Sequence, residues 1–310
     1  MSNDTATQSP PDVPERTGTA APPAPKVEGR VLNLFSHGFL ILWAAMIILP
    51  LAWVLMTALK PSSQINADPL GLPSSLAWDN FARAWEKANI GTFFINTVEV
   101  LVGSVTLTML LGAMAAYVLA RYRFLGNRVV FYTFVAGMMF PVFLALFPLY
   151  KTIQNAGLSD PIEVAGIKIY VGLILTYAAY SMPFTVFFLT AFFRTLPTGV
   201  AEAAMIDGAG HYRLFFQVML PMAKPGLISI TIFNIIGQWN QFLLPLVLVP
   251  DPDNNAVISQ GLADLAVQMG YKGDPGALFA GTTLAILPVL ITYILFQRQI
   301  QAGMTAGAIK

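Results

Sequence analysis

The chain has 310 residues, of which 56% are hydrophobic and only 11% are charged. Soluble domains carry about 25% charged residues, so this composition indicates a polytopic membrane protein. The net charge of +1 gives no sign of a nucleic-acid partner, and the lack of cysteine excludes disulfides, thiolate metal sites and cysteine nucleophiles. The two histidines, His37 and His211, stand on separate segments, so we expect no histidine-based metal site or catalytic triad.

The first region, residues 1–30, is rich in Pro, Thr, Ala and Ser. Such a sequence buries too little apolar surface to offset the entropy lost on ordering, so we expect a disordered cytoplasmic tail. The tail has neither the basic start nor the apolar core of a signal peptide.

Six apolar segments follow, each long enough for the roughly 20 helical residues that cross a bilayer. Backbone groups in lipid must bond within the chain, so these segments are predicted to be helices and the fold class to be all-α. The predicted spans are residues 35–59, 92–120, 129–149, 170–193, 226–248 and 277–296. Prolines are expected to kink or loosen them at positions 50, 141, 148, 183, 245 and 288.

Positive charges predict the orientation of these helices, because Lys and Arg concentrate on the cytoplasmic side. A cytoplasmic amino terminus places most of the basic residues inside, including the cluster Arg121, Arg123 and Arg128 after the second span. Both termini are therefore predicted to be cytoplasmic, as is the segment between the fourth and fifth spans, residues 197–222.

This segment, which we call the elbow, is predicted to form two short helices joined at Gly208. Glycine reaches the left-handed conformation without a Cβ clash and so ends the first helix. The second helix begins near His211, and Pro221 ends the pattern before the next span. Its apolar face is formed by Leu214, Phe215, Val218 and Met219.

The elbow resembles the EAA loop of permease subunits of ATP-binding-cassette importers. That pattern is Glu-Ala-Ala, three residues, Gly, nine residues, an aliphatic residue, one residue and Leu-Pro. It is met by Glu202-Ala203-Ala204, Gly208, Val218 and Leu220-Pro221. Three further stretches resemble the sugar-importer branch, on the side of its maltose-type inner permease: residues 116–124, 139–160 and 287–310. The resemblance covers residues 31–310, which form the predicted permease domain.

The resemblance implies that the elbow couples this chain to a separate ATPase. The residues implied in coupling are Glu202, Ala203, Ala204, Asp207, Gly208, Ala209, Phe215 and Phe216. No lysine follows a glycine, so the chain has no Gly-x-x-x-x-Gly-Lys phosphate loop and is not expected to be an enzyme or to hold a cofactor. ATP and Mg²⁺ would bind to two partner ATPase subunits. The other implied partners are a homologous second permease, forming a heterodimer, and an extracytoplasmic solute-binding protein at the bacterial inner membrane.

Polar residues within the spans mark a candidate substrate path. They are Asn234, Gln238, Trp239, Asn240 and Gln241 in the fifth span and Glu99 in the second. Amides and an indole ring suit a neutral sugar or polyol, but they equally suit hydrogen bonds that hold helices together. The sequence leaves three roles open for Glu99: lining the path, pairing with a partner subunit, or reaching the membrane interface.

The predicted function is that of the permease subunit of a binding-protein-dependent importer, which moves a sugar or polyol by alternating access. One alternative is the same machinery with a polyamine or a phosphodiester as cargo. Another is an ATP-independent secondary transporter, which would show an inverted repeat and ionisable residues buried in mid-membrane. Glu99 is the one acid found within the spans, and a secondary transporter would not need the elbow.

Overall fold

The computed structural model describes residues 28–164, 167–249 and 257–306. The predicted tail therefore lies outside the described residues, except for residues 28–30. The chain divides into two units, residues 1–51 and 52–310. In the first unit the described residues are helical, and from residue 33 onward nearly all their side chains are exposed. The second unit contains the three buried clusters and the cavities described below.

The described elements are almost all helical. The helices are α1 (Glu28–Ala58), α2 (Ser62–Ala67), α3 (Asp79–Ala82), α4 (Ile90–Arg121), α5 (Asn127–Met139), α6 (Val142–Asn155), α7 (Val171–Thr195), α8 (Thr198–Ile206), α9 (His211–Met222), α10 (Lys224–Trp239), α11 (Leu243–Leu248), α12 (Ile258–Lys272) and α13 (Pro275–Ala306). π-Helical turns occupy Arg83–Lys87 and Leu214–Met219. A short antiparallel hairpin pairs β1 (Ile162–Val164) with β2 (Ile167–Ile169) between α6 and α7, which the all-α prediction did not anticipate.

Four helices are long and apolar enough to cross a membrane, namely α1, α4, α7 and α13. They correspond to the first, second, fourth and sixth predicted spans. The third prediction, a single helix over residues 129–149, is wrong in detail, because α5 and α6 meet at a bend of 102°. The fifth prediction, a single helix over residues 226–248, is also wrong in detail, because α10 ends at Trp239 and α11 begins at Leu243. Before this span, α9 and α10 meet at a bend of 76°. The described part of the chain thus holds four continuous candidate spans and two bent helix pairs.

Proline explains where the third and fifth predictions fail. Pro141 lacks a backbone N–H and disfavours helical geometry in the residue before it, and Phe140 is accordingly extended, with φ −76° and ψ 121°. In the fifth predicted span, Pro245 would clash with the carbonyl of Gln241 if one helix ran through both. The helix α10 instead stops at Trp239, and α11 begins after a short break. The other four prolines stay within continuous helices.

The helices α4 and α7 form the main helix pair of the second unit. Glycines on α4 permit their close approach, because a Cβ on Gly112 would lie 2.7 Å from Cγ2 of Thr185 and one on Gly103 would lie 2.8 Å from Cδ1 of Ile174. Around this pair are three buried apolar clusters. One packs the ends of α4 and α7 against α9, a second joins α4 to α12 and α13, and a third joins α4 and α7 to α11.

At the end of α4 opposite the elbow, a polar cluster joins the π-helical turn after α3 to the start of α13. Arg83 Nε donates to Asp274 Oδ2 at 2.8 Å, and Arg83 also contacts Asp79. The Ser62 hydroxyl and the Ala277 amide donate to Asp274 Oδ1 at 3.0 and 3.1 Å. Burial opposes ionisation of Asp274, but these hydrogen bonds outweigh it and hold the pKa of that carboxyl below its ordinary value.

We expect Asp274→Asn to remove a pH-dependent contribution to stability. Because the folded-state pKa of Asp274 is lowered, the stabilisation is present above the ordinary value of 3.8 and is lost as the pH falls through the folded-state pKa. The pair is partly exposed, so the effect is about 1 kcal/mol at most. Thermal unfolding is measured from about pH 7 downward, and the wild-type advantage should shrink progressively once the pH falls below 3.8.

The exposed Asp160 provides the matched control, since Asp160→Asn removes a carboxylate that makes none of these hydrogen bonds. A difference between wild type and Asp274→Asn that stays constant across the whole pH range would contradict the assignment.

Candidate functional site

The elbow consists of α8 and α9, which flank Gly208. The Gly208 N–H donates to the Met205 carbonyl at 3.0 Å, and the Ala209 N–H donates to the Ala204 carbonyl at 2.9 Å. These two bonds form a Schellman motif, which satisfies the last carbonyls of α8 within the chain. The motif needs a left-handed residue, and Gly208 has φ +82°. An open space surrounds this glycine, so its backbone conformation, not crowding, makes a side chain unfavourable there.

One face of the elbow packs on the ends of α4 and α7. It consists of Leu214, Phe215 and Met219, with Ala201 and Ala204 half-buried beside them. The ring centroids of Phe215 and Tyr117 are 5.1 Å apart. Phe215 therefore lies in this chain's own core. Of the two phenylalanines that the resemblance implied as an anchor, only Phe216 is exposed.

The opposite face of the elbow is exposed and carries most of the residues implied in coupling. These exposed residues are Glu202, Ala203, Asp207, Gly208 and Phe216, while Ala204 and Ala209 are half-buried. Two large side chains that the sequence analysis did not single out lie with them, Ile206 (86% exposed) and Tyr212 (81% exposed). Contiguous exposed apolar surface marks interaction sites. Helical periodicity could not identify these two residues, because it assigns apolar side chains to the buried face.

Two hydrogen bonds from the end of α4 fix the position of the elbow. Arg121 Nη2 donates to the Leu196 carbonyl, just before α8, at 2.6 Å. The Tyr122 hydroxyl and His211 Nδ1, at the start of α9, share a hydrogen bond of 2.9 Å. Each short helix is thus held at its first turn, and the exposed face has a defined orientation relative to α4 and α7.

The second candidate region is a cavity of about 780 Å³ bounded by α5, α6, α7, α10 and α11. Its polar lining consists of Thr176, Tyr180, Ser181, Asn234, Gln238 and Gln241. Three of the predicted path residues, Asn234, Gln238 and Gln241, therefore lie together. The other three, Trp239, Asn240 and Glu99, do not line this cavity.

Two of the lining amides are almost fully buried and bond to neighbouring helices. Asn234 Nδ2 donates to Thr185 Oγ1 at 2.9 Å, and Gln238 Nε2 donates to Ser181 Oγ at 2.9 Å. The Ser104 hydroxyl donates to Gln238 Oε1 at 2.5 Å. These amides tie α10 to both α4 and α7, which is the helix-holding role that the sequence left open beside the substrate role.

The remaining path candidates make other contacts. Trp239 is buried, stacks edge-on against Phe94 at 5.4 Å and donates from Nε1 to the Ala285 carbonyl at 3.1 Å, which ties α10 to α13. Asn240 is exposed and donates to the Ile236 carbonyl of its own helix at 2.8 Å. The Glu99 carboxyl buries Oε2, for which the described residues offer no hydrogen-bond partner. Within the same described part of the chain, His, Asp and Glu form no group that could hold a metal ion.

Comparison of the sequence with known proteins finds a family and relatives that agree with one another. Residues 108–306 match the family described as binding-protein-dependent transport system inner membrane component. The diacetylchitobiose uptake system permease protein of Streptomyces coelicolor is 49% identical over 275 residues, covering 89% of this chain and 88% of that protein. The trehalose transport system permease protein of Mycobacterium tuberculosis is 31% identical, covering 85% and 92%.

A solved structure shares the fold. It is a bacterial ABC transporter involved in import of the acidic polysaccharide alginate, with a TM-score of 0.73 at 20% identity, covering 88% of this chain and 97% of that chain. The family match spans more than half of the sequence, and the relatives are permease subunits of transporters. This chain belongs to the family of binding-protein-dependent transport system inner membrane components, and it is a multi-pass permease subunit.

Proposed function

We propose that this chain is the permease subunit of an ATP-binding-cassette importer that carries a sugar or related polyol across the inner membrane by alternating access. The observation that carries the proposal is the two-faced elbow. Its inner face is anchored to α4 and α7, while Glu202, Ala203, Asp207 and Gly208 are exposed on the other face. A partner ATPase that moves this face acts directly on the membrane helices.

The connection from the elbow to the cavity is short. A single residue, the fully buried Ala223, separates α9 from α10. The helix α10 then carries Asn234 and Gln238, which line the cavity and bond to α4 and α7. Displacement of the elbow therefore shifts α10 against that helix pair and changes the cavity. ATP and Mg²⁺ would bind on two ATPase subunits, and a homologous second permease would complete the pathway as a heterodimer.

The proposed topology counts α5 with α6 as one span and α10 with α11 as another, which together with α1, α4, α7 and α13 makes six spans with both termini in the cytoplasm. The elbow then lies on the cytoplasmic side. An extracytoplasmic solute-binding protein would deliver the cargo to the opposite end, where the described connecting segments at residues 60–91 and 257–276 lie. A solved structure with a TM-score of 0.62 is a bacterial alginate transporter in complex with a periplasmic protein that holds an alginate pentasaccharide.

The lining of the cavity favours an uncharged, hydroxylated cargo. Its polar groups are hydroxyls and amides, with the rings of Tyr180, Phe184 and Phe233 beside them. No Asp, Glu, Lys, Arg or His of the described residues lines it, so a polyamine or a phosphodiester would find no counter-charge there. The relatives are named for diacetylchitobiose, trehalose and the oligosaccharides melibiose, raffinose and stachyose. We therefore propose a disaccharide or short oligosaccharide as the cargo.

The first experiment purifies the tagged chain from its native membrane in mild detergent and identifies the proteins that accompany it. An ATPase with a phosphate loop, a second permease and a solute-binding protein that retains a sugar are the expected result. A chain that purifies alone, and transports when reconstituted alone, would overturn the proposal.

Replacing Gly208 by valine is expected to uncouple transport from ATP hydrolysis. A β-branched residue at φ +82° costs about 1–2 kcal/mol or more and disturbs the Schellman motif that shapes the exposed face. ATP-dependent uptake in membrane vesicles should fall about tenfold or more, while the amount of inserted chain stays the same. Gly199→Val is the control, because Gly199 lies exposed in α8 with ordinary helical geometry. Normal uptake by the Gly208 variant would refute the coupling role.

Gln238→Leu tests the helix-holding role of the buried amide. The substitution removes the bonds to Ser104 and Ser181, and interhelical hydrogen bonds of this kind are worth about 0.6 kcal/mol each. The expected loss of stability is therefore about 1 kcal/mol, measured by thermal unfolding of the purified importer. Asn240→Ala serves as the comparison, since Asn240 is exposed and bonds only within its own helix. Equal stabilities for the two variants would show that Gln238 does not hold α10 in place.

A further inference from the structure

A second cavity, of about 670 Å³, lies at the elbow end of the second unit. It is bounded by the last turn of α4, the loop 122–126, the first turn of α5 and the last turn of α7. The side chain of Asn127 holds this loop in place by donating to the carbonyls of Leu119 and Tyr122. None of the residues assigned above to the exposed face of the elbow lines this cavity.

Three arginines line it, namely Arg123, Arg128 and Arg194. The ion pairs found among the described residues involve only Arg83, so none of these three has a carboxylate within 4.0 Å in that part of the chain. The Arg194 guanidinium lies over the ring of Phe131, 5.4 Å from its centroid, and this contact holds it at the edge of the cavity. Three exposed arginines thus line one cavity without a carboxylate partner among the described residues.

The start of α5 adds further positive potential to the same space. The Asn127 N–H bonds to the Phe124 carbonyl at 3.1 Å, but the capping residue Gly126 has no side chain to bond the N–H groups that follow, and no acidic residue stands in the first turn. An uncapped amino terminus carries a partial positive charge and binds anions through backbone N–H groups. The arginines and the helix end therefore favour the same kind of ligand, a group with several negatively charged oxygens.

The rim of the cavity is apolar and exposed. Leu125 is fully exposed at the tip of the loop beside Phe124, and Val129 and Tyr132 are exposed along α5. No residue of α5 is fully buried, and although Phe131 stacks on Phe187 of α7, much of the apolar surface of this helix is exposed. A binding site for a free phosphate ion has no need of such a rim, whereas the acyl chains of a lipid would cover it.

We propose that this cavity binds the phosphate headgroup of an anionic phospholipid, with the acyl chains lying along α5. Arg123 and Arg128 would contact the phosphate oxygens by charge-assisted hydrogen bonds, and Arg194 would complete the positive lining. Basic pockets at the ends of membrane helices recognise such headgroups by the same chemistry. This site is independent of the cargo of the importer, because none of its lining residues lines the cavity of the proposed substrate path.

The test is native mass spectrometry of the purified importer complex, titrated with phosphatidylglycerol or, separately, with phosphatidylcholine. One molecule of phosphatidylglycerol should bind to each copy of this permease chain in the wild-type complex, and it should bind more tightly than phosphatidylcholine. The variants Arg123→Gln and Arg128→Gln should each weaken this binding about 5-fold, and the double variant about 25-fold. Lys224→Gln is the matched control. Lys224 is an exposed base at the start of α10, directly after the elbow, and it does not line the cavity.

Assembly of the complex and its unfolding temperature are recorded for each variant, so that a folding defect is recognised as such. Equal binding of the two lipids, or unchanged phosphatidylglycerol binding in a correctly assembled double variant, would overturn the proposal. Displacement of phosphatidylglycerol by inorganic phosphate at similar concentration would also overturn it, since the site would then recognise the free ion. Crosslinking from position 125 to a partner subunit, and not to lipid, would assign the rim to a protein interface and would overturn the proposal as well.

Discussion

The close packing of α4 against α7 is the contact on which the other features depend. Lipid tails are as apolar as leucine side chains, so helices in a bilayer associate through tight van der Waals contact and hydrogen bonds. Gly112 supplies the tight contact, since a side chain there would run into Thr185. The end of this pair provides Tyr117 and Phe193, on which the elbow packs. Its middle provides the hydroxyls that accept and donate the hydrogen bonds of α10. Loosening this pair would move both candidate regions.

The elbow combines a fixed face with a free one, and its local chemistry explains how. Leu214 and Met219 bury their side chains against α4 and α7, while the Schellman motif at Gly208 satisfies the end of α8 without help from a partner. The exposed face is therefore formed before any partner binds. A preformed surface of this kind loses little conformational entropy on association, and only the buried Ala223 separates its second helix from α10.

The arginines near the elbow separate into distinct roles, although together they form one cluster of positive charge in the sequence. Arg121 turns inward and holds the chain before α8 through the Leu196 carbonyl. Arg194 lies over an aromatic ring, and Arg123 and Arg128 line a cavity without a carboxylate among the described residues. At the other end of α4, Arg83 is instead paired with Asp274. Charge that satisfies partners within the chain stabilises the fold, whereas charge left without such partners is available to a ligand or a membrane.

The sequence by itself determined the membrane class, the positions of the four continuous candidate spans, the two helices of the elbow and the family, because hydropathy, proline, glycine and a spaced motif are local properties of the chain. The sequence predicted a kink at Pro141, but the bend of 102° between α5 and α6 depends on what each of these two helices packs against. The tertiary structure alone decided that Phe215 is a core residue and Phe216 is exposed. It likewise directed Trp239 towards α13 and placed Gln241 on the cavity. Adjacent residues on a helix differ by about 100° in direction, so composition identified the polar and aromatic candidates, and only the packing of neighbouring helices assigned each one to its surroundings.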